Sequence, residues 1–467
     1  MIRGYPERPS VRPGQRLALH VATDAPRFRV AFHRWGDGFV QVDLSGWMPG
    51  IDAPFGAPES DWQWPTYRFD IPEHWSSGVY IAHLLEPEAT PLAVALDCAA
   101  LLFVVRGPGR SRCLYKLAIA TYQAYNCTGG ACFYLAPPRS SQPEGARLSW
   151  RRPGGGIGGI TFGAPDHYDP GSPRQTFAHW DAPFIAWLAR QGDDVEFCTD
   201  LDVHDEPALL SRHRLLISVG HDEYWTEAMR EHVERFVGQG GNVCFFGANL
   251  CWWRIHLVDG ESAMVCHQGG PHGALDHWWP ATGVNRPEDA LTGVSYRHGG
   301  GWWDGPRTTE GFVVQQSGHW VFAGTGLQDG SHFGADSTPP LVGYECDGAP
   351  LEIADAASRR FRMAPEAAQC GTPAGFVPLA VGLLGPEWQE LPYREVHGDR
   401  EGVHSATMGI HQRRGAVFTC GTTDWAQVLA NGSDPHVGTI TRNVIDRLSG
   451  QSVGDDGSGT DGRPASP

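Results

Sequence analysis

The stretch His-Asp-Glu-Tyr-Trp at 221–225 places three ionisable side chains directly behind an apolar run, RLLISVG (214–220). Ionisable groups at such a point are solvated, bound or put to use. Acids favour the first turn of a helix, and Asp222 suits that role. His221 and Glu223 stand two residues apart and enter one crevice if the chain is still extended there. A histidine beside a carboxylate is equipment for general acid–base chemistry. Other apolar runs end in the same way. LYKLAIAT (114–121) leads into TYQAYN, with Tyr122 and Tyr125. VEFCTD (195–200) leads into Asp200, Asp202 and His204. NVCFFGAN (242–249) ends on Asn249, and LVGYECDG (341–348) delivers Glu345 and Asp347. Taken alone, Tyr125 reads as a core or rim tyrosine, and Asn249 equally as a site residue or a turn residue.

The elements that position these residues follow from periodicity. FAHWDAPFIAWLARQG (177–192) carries Phe177, Trp180, Phe184, Ile185 and Leu188 at helical spacing, with Gly192 as a stop. TEAMREHVERFVGQGG (226–241) is a helix capped by Thr226, with Met229, Val233, Phe236 and Val237 as its buried stripe. DPHVGTITRNVIDRLSG (434–450) is a third helix. Short apolar strands alternating with such helices predict an α/β fold, a doubly wound and mostly parallel sheet. Ligands of that architecture bind beyond the carboxyl ends of the strands, the edge where the polar residues above collect.

Residues 1–107 lack helical periodicity and read as a β-sandwich of Ig-like type. The α/β part is expected over 108–450, with a Gly/Trp-rich insertion at about 266–340. The tail 451–467 is too polar to order itself. GGGIGG (154–159) follows RRP inside a long loop rather than a strand, so it is expected to be a mobile loop or lid, not a nucleotide site. No H-E-x-x-H, Walker or G-x-C-x-G motif is present, and no G-x-S-x-G elbow stands between a strand and a helix.

The 53 acidic against 36 basic residues give a formal charge of −17, which disfavours nucleic acid and anionic membrane surfaces as partners. No apolar run spans a bilayer and the start has no apolar signal region, so a cytoplasmic location is expected. The 11 cysteines are odd in number and scattered. They read as small buried hydrophobes in a reducing compartment. The C-x4-C of Cys127 and Cys132 is more often structural than a zinc site, and a thiol nucleophile at Cys251 or Cys127 has no histidine beside it in sequence. Trp252 and Trp253 read as core packing or as pocket lining.

TYQAYNCTGG, LLISVGHDEYW, GGNVCFFGANLCWWR, MVC, VGYECDG and VFTCGTTDW, in that order over about 300 residues, resemble the N,N-dimethylformamidase large (beta) subunit family. The resemblance implies a class I glutamine-amidotransferase-like domain without the amidotransferase cysteine. It further implies a hydrolase of a small formamide-type amide with a mononuclear iron(III), and a small partner subunit or a homo-oligomer. Residue by residue, Tyr125 matches a tyrosine ligand and Glu223 the glutamate ligand. His221 matches an acid/base or supporting histidine, Asn249 a site asparagine and Glu345 an active-site glutamate. The second tyrosine ligand departs: SWRRPG has Gly154 at its position, and Tyr168 in DHYDP is the nearest replacement. Gln268 stands at the place of a family lysine. These departures carry the competing expectation, a catalytically degenerate relative that binds a carbohydrate or another small ligand.

Overall fold

The computed structural model describes residues 1–88, 99–135, 145–163, 165–268, 275–279, 284–388 and 402–450. Cys98 and the tail beyond 450 lie outside the described residues.

The N-terminal part is two β-sheets over one core. Arg3–Pro6, Arg16–Ala22 and Thr66–Asp70 form the smaller sheet. Gly78–Leu85 and Ala100–Val105 are central to the larger, beside Arg27–Gly36. Alternation along Gly78–Leu85 serves two cores. Tyr80, Ala82 and Leu84 meet Leu19, Val21 and Phe32 between the two sheets. Val79 and Ile81 point the other way and share a core with Tyr115, Leu117 and Phe184 of the α/β part.

The α/β part begins with β1 (Cys113–Leu117) and the short helix α1 (Ile119–Ala124). Helix α2 (Asp181–Gln191), β2 (Val195–Thr199), α3 (Asp200–Asp205), β3 (Leu215–His221), α4 (Glu227–Gly238) and β4 (Asn242–Ala248) follow. Later come β5 (Phe312–Val314), β6 (His332–Phe333), β7 (Glu345–Gly348), β8 (Val377–Leu383), β9 (Ser405–Gln412) and β10 (Ala416–Thr419). Helices α5 (Trp425–Asn431) and α6 (Pro435–Ser449) close the chain. Nine of these strands form one sheet, in the order β2-β1-β3-β4-β10-β9-β8-β5-β6. Its first five strands are parallel.

Successive residues of β1, β3 and β4 face opposite layers. Tyr115, Ile217 and Phe246 pack under α2, α5 and α6. Leu114, Leu216 and Phe245 pack under α4. The sheet is therefore covered on both faces. Helix α4 starts as its sequence dictates, with Thr226 Oγ1 accepting from the Met229 amide.

Two expectations need correction. The sheet is mixed rather than mostly parallel, because β9, β8, β5 and β6 add on antiparallel. Only residues 413–415 separate β9 from β10, enough for a hairpin but far too few for a parallel crossover. The segment 266–340 is also more than an insertion of loops and short strands, since β5 and β6 complete the antiparallel edge.

The order β2-β1-β3 fixes where a ligand can sit. From β1 the chain crosses to β2 on one side and returns to β3 on the other. The crevice beyond the carboxyl ends of β1 and β3 is the switch point.

Candidate functional site

Tyr125 leaves the end of α1, and His221 and Glu223 leave the end of β3, so they enter that crevice from its two sides. The backbone around them is pinned by buried side chains. The carboxylate of Asp200 accepts from the Ala120 amide at the start of α1 (2.6 Å). Arg152, fully buried, donates to the carbonyls of Gln123, Asn126 and Thr128, closing the far end of the same helix. Thr121 Oγ1 accepts from the Glu223 amide (3.0 Å), and the Glu223 carbonyl accepts from the Trp253 amide (3.0 Å).

Glu223 is the hub. Its Oε2 accepts from Tyr125 Oη at 2.9 Å, and its Oε1 accepts from Tyr134 Oη at 2.9 Å. The two phenol rings stack, with centroids 4.5 Å apart, and Phe162 stacks on the outer face of Tyr134 at 5.5 Å. The Tyr134 hydroxyl also meets that of Tyr224, which accepts from Gln268 Nε2 (2.9 Å). On the other side, His221 Nε2 lies 3.4 Å from Glu223 Oε2 and 2.9 Å from Glu345 Oε2. His221 Nδ1 faces Gln175 Oε1 at 2.6 Å; that oxygen only accepts, so Nδ1 donates. Asn249 Nδ2 and Trp303 Nε1 donate to Glu345 (3.3 and 3.2 Å). Asp347 holds Asn249 in place by accepting from the amides of Asn249 and Leu250. Among the described residues Asn249 Oδ1 is buried and accepts nothing.

Burial and charge set the protonation states. Burial pushes Glu223 up to about 7, with Glu345 adding to the rise against His221 and the phenols. Burial opposes the charged form of His221, but Glu345 and Glu223 outweigh it and raise the imidazole to about 9. Burial likewise opposes the charged form of Glu345, and His221 reverses this, so that carboxylate is held below its ordinary range. Burial, reinforced by Glu223, raises the phenols of Tyr125 and Tyr134 well above the ordinary tyrosine value. Two carboxylates facing one imidazolium leave a local excess of negative charge. Two phenol oxygens on either oxygen of one carboxylate are hard donors that, once the phenols are deprotonated, suit a small, highly charged cation.

Of the residues singled out from sequence, Tyr125, His221, Glu223, Asn249 and Glu345 meet in this one cluster. Tyr168 does not. Its hydroxyl accepts from the Arg307 amide at 2.7 Å, and its ring lies beneath the Arg307 guanidinium. The position next to Glu223 is filled instead by Tyr134, which the sequence reading passed over. The signal was present: Tyr-Asn-Cys-Thr-Gly-Gly-Ala-Cys-Phe-Tyr (125–134) reads alike from both ends about a Gly-Gly turn, so folding it back brings its terminal tyrosines together. Gly154 has no room for a side chain. Its φ is +105°, and a Cβ would lie 2.5 Å from the Asn126 carboxamide. Gly155, Gly156 and Gly158 are buried with Ile157, whereas Gly159 and Ile160 are exposed. Asp222 caps no helix. It joins Asp200 in an ion-paired network with the buried Lys116, whose Nζ lies 2.7 Å from both carboxylates. Asp202 makes the capping box of α3 with Thr199, His204 binds Thr226, and Tyr122 binds Asp181. Trp252 and Trp253 are buried in the core.

Three other groups of side chains among the described residues stand close enough to share a cation, but each is already compensated by arginine. Asp205 and Glu261, beside His204, are paired with Arg8. Asp276, between His256 and His267, is paired with Arg254. Asp166 and Asp424, beside His179, are paired with Arg174 and Arg307.

A family model described as N,N-dimethylformamidase beta subunit-like, C-terminal, matches residues 38–437. An N,N-dimethylformamidase beta subunit from Paracoccus aminophilus is 24% identical over 329 residues, covering 64% of this chain and 39% of its own length. One from an Alcaligenes species is 30% identical over 115 residues, covering 23% of this chain and 14% of its own. This chain thus spans well under half the length of either relative in these matches. Among solved structures, a ThuA-like protein from Parabacteroides merdae matches with a TM-score of 0.27 and 13% identity, covering 59% of this chain and 88% of that one. No helix among the described residues is long and apolar enough to cross a membrane.

Proposed function

Since the chain belongs to the N,N-dimethylformamidase beta subunit-like, C-terminal family, we propose that it hydrolyses the C–N bond of a small amide in the crevice at the ends of β1 and β3. The observation that carries the reading is the convergence of Tyr125 and Tyr134 on the two oxygens of Glu223, with His221 set between Glu223 and Glu345. In this reading Tyr125, Tyr134 and Glu223 hold one iron(III). The donor chemistry fits: deprotonated phenols would prefer a hard, strongly acidic ion, and both phenols now donate their hydrogen bonds to the carboxylate that would share it. The ion supplies polarisation of the amide carbonyl and acidification of bound water.

The remaining chemistry belongs to the side chains. Glu345, held ionised by His221, accepts a proton from the attacking water. His221 carries its proton on Nε2 and delivers it to the nitrogen that leaves. Asn249 is fixed by Asp347 and Glu345, so its carboxamide is oriented before substrate arrives. Its unpaired Oδ1 accepts from an N–H of the substrate or of the departing amine. We read the nine-stranded domain as glutamine-amidotransferase-like and the two N-terminal sheets as Ig-like. The relatives are beta subunits, so assembly with a second chain type, or with copies of itself, belongs to the same proposal.

The test is metal content and colour. The protein purified with iron is expected to carry one ion per chain and a visible phenolate-to-iron absorption. Tyr125→Phe and Tyr134→Phe each weaken both, while Tyr168→Phe leaves them unchanged. Hydrolysis of simple formamides should fall by two or more orders of magnitude in His221→Gln. A colourless protein that takes up no iron, or equal behaviour of Tyr134→Phe and Tyr168→Phe, would sink the reading.

A further inference from the structure

The eight residues between the two tyrosines carry a second pair of side chains in register with the first. Cys127 lies two residues after Tyr125 and Cys132 two before Tyr134. Their sulfurs are 3.0 Å apart, about 1 Å beyond the covalent S–S length. The segment is already folded back on itself. Gly130 N donates to the Cys127 carbonyl and Phe133 N to the Ala124 carbonyl, and Gly129 and Gly130 supply the left-handed turn with φ of +95° and +102°. No other pair of cysteines among the described residues shows a thiol–thiol contact. We propose that Cys127 and Cys132 are a dithiol–disulfide site, and that closing the bond clamps the loop which presents Tyr125 and Tyr134. The proposal stands on this loop geometry and does not depend on the metal reading.

Both thiols are buried, Cys127 at 5% exposure and Cys132 at 1%, so the reagent must be small and reach Cys127 first. A peroxide meets this requirement. The Cys127 sulfur attacks one peroxide oxygen, the O–O bond breaks, and a sulfenic acid and one water result. The Cys132 sulfur then attacks the Cys127 sulfur. The S–S bond forms, and the hydroxyl leaves with the second thiol proton as another water. The protein is oxidised by two electrons and the peroxide is reduced by two. A thiol reductant reverses the change.

Tryptic peptide 117–139 contains both cysteines and no others, so one measurement reads the bond. The intact chain is treated with one equivalent of hydrogen peroxide, quenched, alkylated under denaturing conditions and digested. The expected peptide is lighter than the reduced one by two hydrogen atoms, carries no alkyl group, and regains both sites after reduction. Cys132→Ala removes this species. Amide hydrogen exchange over residues 126–133 is expected to slow in the oxidised chain. A peptide that gains oxygen, or stays fully alkylated while other cysteines react, overturns the proposal. So does an oxidised chain whose loop exchanges as fast as the reduced one. Iron uptake without the cross-link would leave the metal reading standing and remove this one; the cross-link without iron would do the reverse.

Discussion

Gly154 shows how one residue redirects a site. Its positive φ and its contact with Asn126 exclude any side chain, so no tyrosine can stand there, and the phenol stacked on Tyr125 is that of Tyr134. Gly154→Ala is expected to destabilise the fold by about 1–3 kcal/mol, through the left-handed backbone and the clash together, as read by urea denaturation; a neutral result would mean the loop yields easily. His411 offers a separate test by pH. Burial holds it down to about 4, with Nε2 against the Leu291 carbonyl (2.8 Å), whereas an unfolded histidine titrates near ~6.5. The unfolded chain therefore takes up this proton first. The stabilisation is complete above about pH 6.5 and is lost as the pH falls through about 4, on the order of 3 kcal/mol at full extent. The melting temperature should decline over that interval, and His411→Gln should flatten the decline; an unchanged slope would assign it to other groups. The residue scale is also where the sequence was least legible. Tyr125, His221, Glu223, Asn249 and Glu345 could be picked out because four of them sit at or just beyond an apolar run. Tyr134 follows no strand, and its partner in space is set by a turn.

At the scale of elements, periodicity served well for α4 and α6, whose caps and apolar stripes are local properties of the chain. It failed for β5 and β6, which are three and two residues long. Strands that short carry no pattern, and only pairing defines them, β5 with β8 and β6 with β5. The ends of the parallel strands hold the feature sequence reading misjudged most. Lys116, inside an apolar run, ties β1 to the carboxylates that follow β2 and β3. Burial opposes its charge, but Asp200 and Asp222 outweigh this and keep it protonated. Lys116→Met would leave two carboxylates buried without a counter-charge, an arrangement expected to cost about 3–5 kcal/mol. Equilibrium unfolding measures this directly, and a loss below about 1 kcal/mol would show that Asp200 or Asp222 simply protonates.

For the whole molecule, the N-terminal sheets are structurally continuous with the α/β part. Val79, Ile81, Leu102 and Val104 lie in the same core as Tyr115 and Leu117, Trp35 donates to the Ala182 carbonyl of α2 (3.0 Å), and the family match itself begins at residue 38, inside the sheets. Calorimetry of the full chain is expected to give one cooperative transition; two well-separated ones would make the halves independent. The same continuity bears on biosynthesis. Tyr125 and Glu223 are 98 residues apart, and Asn249 and Glu345 are 96 apart, so the cluster draws on segments that leave the ribosome far apart in time. While the first half is emerging, Glu223 has no Glu345 to balance His221, and β4 has no β10 to pair with. The complete cluster can exist only after Glu345 has been translated, although Tyr125, Tyr134 and Glu223 all belong to the first half.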